Sequence, residues 1–159
     1  MDLYIYTDGA SRGNPGKSAS GYLILDSSNK PLLKEVFYNG RKTNNFAEYM
    51  AIIAALEKVA KLYGYENNIT LTSDSEVAVK QINGLYKVKE RHLKVLNKRV
   101  IELAGKFKSC KFQNARRNNK YIAMVDKELN RFLDEMEDNI KNKDIINKQS
   151  IDKQSKLSL

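Results

Sequence analysis

Apolar residues fall into short alternating runs early in this chain and into helix-spaced stripes further on. Leu3-Tyr4-Ile5-Tyr6-Thr7 reads as a short strand ended by Asp8 and the Asp-Gly turn that it opens. Gly21-Tyr22-Leu23-Ile24-Leu25 and Leu32-Leu33-Lys34-Glu35-Val36-Phe37-Tyr38 read as two more. Between them, Asp26-Ser27-Ser28-Asn29-Lys30-Pro31 is dense in turn formers and predicts a hairpin. From Phe46 to about Tyr63, the residues Met50, Ile53, Ala54, Leu56 and Ala60 recur at helical spacing, and Gly64 supplies a stop.

Ile69-Thr70-Leu71-Thr72-Ser73 alternates and is rich in β-branched residues, which predicts a fourth strand. A short helix from Ser75 to about Asn83, closed by Gly84, follows. Leu93 to Phe107 is the next helix, with Leu96, Val100, Leu103 and Ala104 on its apolar face. Cys110-Lys111-Phe112-Gln113 is a weak fifth strand. Ile122 to about Met136 is the last helix, with Ile122, Val125, Leu129, Phe132, Leu133 and Met136 on one side. The order of elements argues an α/β layer fold with a mixed sheet.

From Glu137 onward the chain is rich in Asn, Lys, Asp and Ser, with thinly scattered apolar residues. Such a stretch buries too little surface to offset the entropy of ordering, so residues 1–136 are expected to form the domain and 137–159 a flexible polar tail. Continuation of the last helix to about Ile146 is the alternative.

Composition narrows the function. The chain has 159 residues, 42% of them hydrophobic, enough for one domain with a real core. Its formal net charge is +9, from 28 Lys+Arg against 19 Asp+Glu. That balance favours a polyanionic partner, nucleic acid before an acidic membrane surface, with a plain soluble basic surface as the competing reading. Cys110 is the single cysteine, which excludes an internal disulfide and a Cys-rich zinc site. No apolar run approaches the roughly 20 residues of a membrane span, and no charged-then-apolar leader opens the chain. A reducing, cytoplasmic setting is expected, with no membrane role.

Against this basic background, four carboxylates stand at or near element ends. Asp8 precedes a Gly/Asn/Pro-rich stretch in which Gly9, Gly13 and Gly16 allow close backbone approach to a phosphate, although an Asp-Gly surface turn reads equally simply. Glu48 lies three residues after Asn45, the spacing of a capping box. Asp74 or Ser73 suits the cap of the following helix. Asp126 lies about 40° around the last helix from Ile122, at the edge of the apolar stripe. Each acid has a local explanation. Acids far apart in sequence and placed at the ends of separate elements also suit a shared metal site.

The segment Thr7-Asp8-Gly9-Ala10-Ser11-Arg12-Gly13-Asn14-Pro15-Gly16 resembles the first motif of the type 1 ribonucleases H. Thr43-Asn44-Asn45-Phe46-Ala47-Glu48 resembles the family's second motif, and Leu71-Thr72-Ser73-Asp74-Ser75 its third. The three occur in family order over residues 1 to about 135. The resemblance implies a ribonuclease H-like fold: a five-stranded mixed sheet of order 3-2-1-4-5 with helices on both faces. It also implies hydrolysis of the RNA strand of RNA/DNA hybrids, leaving 5′-phosphate and 3′-hydroxyl ends, with two Mg²⁺ or Mn²⁺ ions as cofactors. Asp8 would bridge both ions, Glu48 and Asp74 would complete one site, and Asp126 the other. Ser11, Gly13, Asn14, Thr43, Asn44 and Asn45 match substrate-binding positions, with Thr43 at a DNA phosphate and the asparagine amides suited to reading hydroxyls.

The chain departs from the family pattern in three places. The fourth acid, which usually follows an Asn by four residues, arrives instead at Asp126, seven beyond Asn119, with Glu128 as the alternative. The loop Asn114 to Tyr121 has no His, and the sole histidine, His92, reads as a surface helix residue. No hybrid-binding domain is expected before the first strand. Lys87, Lys89, Arg91, Lys94 and Lys98 form a basic run that suits either backbone phosphates or a solvated helix face. The expected partner is the RNA/DNA hybrid, with no obligate protein partner and a monomeric chain. The competing function is a catalytically weak or inactive hybrid-binding module on the same fold.

Overall fold

The computed structural model describes residues 1–157. Five strands, β1 (Asp2–Gly13), β2 (Gly16–Leu25), β3 (Pro31–Lys42), β4 (Asn68–Ser73) and β5 (Ser109–Asn114), form one sheet in the order β3-β2-β1-β4-β5. β1, β2 and β3 run antiparallel, β4 lies parallel to β1, and β5 parallel to β4. The helices are α1 (Asn44–Tyr63), α2 (Glu76–Ile82), α3 (Arg91–Lys106) and α4 (Lys120–Leu157). The sheet order and the helices agree with the fold expected from the resemblance.

β1 is central, so both of its faces are covered. Leu3 and Ile5 join Ile52, Leu56, Val100 and Leu103 in the larger core under α1 and α3. Tyr4 and Tyr6 face the other way, toward Leu23, Leu25 and Val125 under α4. The buried positions Ile122, Val125, Leu129 and Leu133 recur every three or four residues along α4, the spacing read from the sequence.

Two expectations are corrected. β1 does not stop at Asp8. It runs on to Gly13 because that stretch pairs residue for residue with the start of β2, from Asp8 opposite Gly21 to Gly13 opposite Gly16. The Gly-rich segment is therefore a hairpin arm rather than a loop. Gly16 makes its turn tight, since a Cβ there would sit 2.0 Å from the Arg12 carbonyl oxygen. The second correction concerns the residues after Glu137. They continue α4 to Leu157, past both the expected tail boundary and the alternative end at about Ile146, and the side chains described from Asp138 to Gln154 are exposed. Residues 120–157 contain neither Gly nor Pro, and a helix already nucleated by packed turns extends at little further cost.

Candidate active site

Asp8 sits on the central strand, 2% exposed, and the sheet register brings the other acids to it. Thr7 pairs with Ser73, the last residue of β4, so Asp74 emerges directly beside Asp8, with its backbone N–H donating to the Thr7 carbonyl at 3.3 Å. Glu48 arrives from α1. Ser20 on β2 donates to the Ala47 carbonyl at 2.6 Å and so ties the start of that helix to the sheet. Gly9 lets the two backbones touch, because a Cβ there would lie 2.5 Å from the Glu48 nitrogen.

The local explanations for two of these acids fall away. Thr43, not Asn45, caps α1, accepting from the Phe46 N–H at 3.2 Å, so Glu48 is not part of a capping box. Ser75, not Ser73 or Asp74, caps α2, accepting from the Ala78 N–H at 3.1 Å. Neither acid is occupied in ending a helix.

Carboxylate oxygens of Asp8, Glu48 and Asp74 all lie within 4.8 Å of one another. Burial pushes the Asp8 carboxyl up to about 7, with the nearby Asp74 charge adding to the shift. Burial likewise raises Glu48, and Asp8 reinforces it. Asp74 is raised by burial, against the opposing pull of Arg117. Glu48 Oε2 is buried without a hydrogen-bond partner. Like charges in a dry pocket, with an orphaned oxygen among them, ask for a cation. An all-oxygen donor set suits a hard divalent ion such as Mg²⁺ or Mn²⁺, so the acidic trio can hold metal.

Asp126 also reaches this cluster. It lies close enough for its charge to raise the carboxyls of both Asp8 and Asp74. The alternative acid, Glu128, points elsewhere and pairs with Lys34 at 3.5 Å. The start of α4 explains the choice. Asn119 accepts from the N–H groups of Tyr121 and Ile122 at 3.0 and 3.1 Å, which fixes where the helix begins and which side chains face the sheet.

Of the residues expected to meet substrate, Ser11, Asn14 and Asn44 are joined by hydrogen bonds. Ser11 N–H donates to Asn44 Oδ1 at 2.8 Å, and Asn44 N–H donates to Asn14 Oδ1 at 3.1 Å. The Ser11 hydroxyl has the carbonyls of Gly13 and Lys42 within reach and can donate its one proton to either. Ser11, Asn44 and Asn45 line a cleft of about 390 Å³ together with Glu48 and Asp74. Thr43 lines the neighbouring hollow with Pro15, Arg41, Lys42, Phe46 and His92. His92 is half-exposed and lies 3.3 Å from Glu90, as a surface residue.

Three residues of this region were not singled out from the sequence. Arg117, in the loop that lacks a histidine, places Nε 3.8 Å from Asp74 Oδ2. Arg12 and Asn130 line the same cleft from the hairpin and from α4. The cationic Arg116-Arg117 pair beside the expected fourth acid was the available signal for Arg117.

A buried carboxylate cluster at the centre of a 3-2-1-4-5 sheet defines a ribonuclease H-like nuclease fold. The profile of the family described as reverse transcriptase-like matches residues 6–125. The chain belongs to that family and, within it, to the type 1 ribonucleases H, as its relatives indicate. It is 38% identical over 105 residues to ribonuclease HI of Halobacterium salinarum, an alignment covering 66% of this chain and 52% of that protein. It is 35% identical over 114 residues to the bifunctional protein Rv2228c of Mycobacterium tuberculosis, covering 71% of this chain and 31% of that one. The chain thus spans about half of the first relative's length and under a third of the second's. The crystal structure of RNase H1 from Halobacterium salinarum superposes with a TM-score of 0.79 at 33% identity, covering 85% of this chain and 99% of that one. LC11-RNase H1, solved in complex with an RNA/DNA hybrid, gives 0.72 at 33% identity, covering 82% and 99%. No helix among the described residues is long and apolar enough to cross a membrane.

Proposed function

We propose that this chain is an endoribonuclease that hydrolyses the RNA strand of RNA/DNA hybrids, leaving 5′-phosphate and 3′-hydroxyl ends. The observation that carries this reading is the cluster of Asp8, Glu48 and Asp74, with an unpartnered buried oxygen on Glu48, set on a fold shared with hybrid-binding relatives.

Two divalent ions, Mg²⁺ or Mn²⁺, would supply activation of a water and charge stabilisation at the leaving 3′ oxygen. Asp8, Glu48 and Asp74, with Asp126 beside them, would be the carboxylates that hold these ions. The rest of the work belongs to the protein. The sheet and α1 hold the acids in place before substrate arrives, so little reorganisation is needed at the moment of reaction. Ser11, Gly13, Asn14, Thr43, Asn44 and Asn45 form the rim that takes the two strands, and their amides and hydroxyls suit the ribose 2′-OH, which separates RNA from DNA. Lys87, Lys89, Arg91, Lys94 and Lys98 are all exposed and make no ion pair among the described residues, which suits phosphate tracking. All four acids fall within residues 1–136, which we take as the catalytic unit of a monomeric, cytoplasmic protein. The competing reading, a binding module without chemistry, rests on the shifted fourth acid, and the Asp126 charge that acts on Asp8 weighs against it.

A substrate panel tests the proposal. Hybrid, duplex DNA, duplex RNA and single-stranded RNA, each labelled on one strand, are incubated with Mg²⁺ or Mn²⁺. Cleavage confined to the RNA of the hybrid supports the reading. Tight hybrid binding without cleavage in either metal favours the binding module.

A further inference from the structure

A chain of polar contacts joins the tip of the β1–β2 hairpin to the fourth acid. Arg12 donates from Nη2 to Asn130 Oδ1 at 3.1 Å and to the Asn130 carbonyl at 3.3 Å. Asn130 Nδ2 donates onward to Asp126 Oδ1 at 3.2 Å and to the Asp126 carbonyl at 2.9 Å. Arg12 is itself held by Asp134 at 2.9 Å and by Glu137 at 3.6 Å. Asp126, Asn130, Asp134 and Glu137 follow one another by four, four and three residues, so they share one stripe of α4.

The donors set the direction of this chain. A guanidinium group has only N–H donors. Asn130 must therefore turn its oxygen to Arg12, which leaves its NH₂ facing Asp126. The flipped amide would set oxygen against carboxylate at one end and donor against donor at the other. Arg12 thus selects the Asn130 orientation whose NH₂ points at the Asp126 carboxylate and holds its direction. Arg12 and Asn130 are half-buried in the wall of the cleft. Asp134, the partner of Arg12 in the shorter ion pair, is 63% exposed at its side chain. Ion pairs of that kind add little to stability, so the contact is better suited to aiming a side chain than to holding the fold.

We propose that Arg12 and Asn130 are positioning residues for the metal centre: together they fix the direction in which Asp126 presents its carboxylate to the acid cluster. The proposal rests on the reading of the acid cluster as a metal site.

Calorimetric titration of Mn²⁺, without nucleic acid, tests it on the wild-type chain, Asn130→Ala, Arg12→Gln, Asp126→Asn and the double variant Asp126→Asn/Asn130→Ala. In the wild type at least one ion should bind with an affinity that Asp126→Asn reduces. Asn130→Ala and Arg12→Gln should weaken that same ion by about ten-fold, as loss of an outer partner of a metal ligand does. In the Asp126→Asn background, Asn130→Ala should change nothing further, because its effect passes through Asp126. Wild-type affinity in both Asn130→Ala and Arg12→Gln overturns the proposal. So does a loss that recurs in full without the Asp126 carboxylate, which would mark a general structural role. If Asn130→Ala does not fold, Arg12→Gln alone and combined with Asp126→Asn carries the same comparison. A wild-type chain that binds no Mn²⁺ overturns the metal-site reading itself and this inference with it. Ion binding indifferent to Asp126→Asn overturns this inference alone.

Discussion

Gly9 lies against Glu48 so closely that a Cβ at residue 9 would meet the Glu48 nitrogen at 2.5 Å and the Ala47 carbonyl carbon at 2.4 Å. Both obstacles are backbone and cannot rotate away. The missing side chain is what allows a carboxylate on the central strand and one on the first helix to share a pocket. Gly9→Ala should push β1 and α1 apart. The expected loss is roughly 1–3 kcal/mol of stability, as for other overpacked contacts, together with most of the Mn²⁺ affinity. Denaturant unfolding and calorimetry check both. Wild-type affinity in the variant would mean the acids do not depend on this contact.

The acids themselves should trade stability for activity. Asp8→Asn removes a buried like charge, so in EDTA at pH 8 the variant should be more stable than wild type by roughly 1–3 kcal/mol. Cleavage should fall by on the order of 10³-fold or more, since metal-based stabilisation is worth several kcal/mol. Hybrid affinity should change by no more than a few-fold. Asp74→Asn should share the loss of cleavage. Near-normal activity in either variant contradicts the ligand assignment.

The same charges set a pH dependence. Asp8 is raised from an ordinary 3.8 to about 7, and Glu48 and Asp74 move in the same direction. A carboxyl with a folded pKa above its unfolded one binds its proton more tightly when folded. Its stabilising contribution is whole below about pH 4 and is lost as pH rises through about 7. Metal-free protein should therefore lose unfolding free energy between pH 5 and 8, and Mn²⁺ should restore it at pH 8 more than at pH 5. Urea melts in EDTA across that range read the slope directly. A rise with pH in the absence of metal contradicts the buried-charge account.

Arg117 competes with a cation for Asp74. Its side chain is 78% exposed and its contact is long at 3.8 Å, so Arg117→Ala should shift stability by less than about 0.5 kcal/mol. Mn²⁺ should bind the variant severalfold tighter, because the competing charge is gone. Unchanged or weaker binding would assign Arg117 a different part.

Removal of residues 139–159 tests the domain boundary. The side chains described in that stretch are all exposed, and Glu137, which meets Arg12, is retained. Stability should change by less than about 1 kcal/mol, with hybrid cleavage intact. Loss of cleavage would place part of the working surface on the end of α4.

Much of this architecture is legible in the sequence because its signals are local. Alternation in Leu3–Thr7 and Ile69–Ser73 marks strands, and the stripe from Ile122 to Leu133 marks the last helix. Other features depend on contacts that no local pattern carries. The stretch from Gly9 to Gly13 has the composition of a loop, and only its pairing with Gly16–Ser20 makes it a strand. Thr43 and Asn45 both suit a helix cap, and the connection from β3 decides for Thr43. Asp126 and Glu128 sit two residues apart, and only the folded helix shows Glu128 paired with Lys34 while the Asp126 charge acts on Asp8. Arg12 meets Asn130 across 118 residues of chain, a pairing that appears only once the hairpin lies against α4.

The most direct test of the central claim is cleavage of a hybrid whose RNA is labelled at its 5′ end, with Mn²⁺ or with EDTA, followed by analysis of the new termini. The account predicts internal cuts in the RNA alone, ending in 3′-hydroxyl and 5′-phosphate groups, abolished by EDTA and by Asp8→Asn. Cleavage that persists in EDTA, or that leaves 2′,3′-cyclic phosphate ends, would contradict it, because those products require attack by the ribose 2′-OH rather than by water.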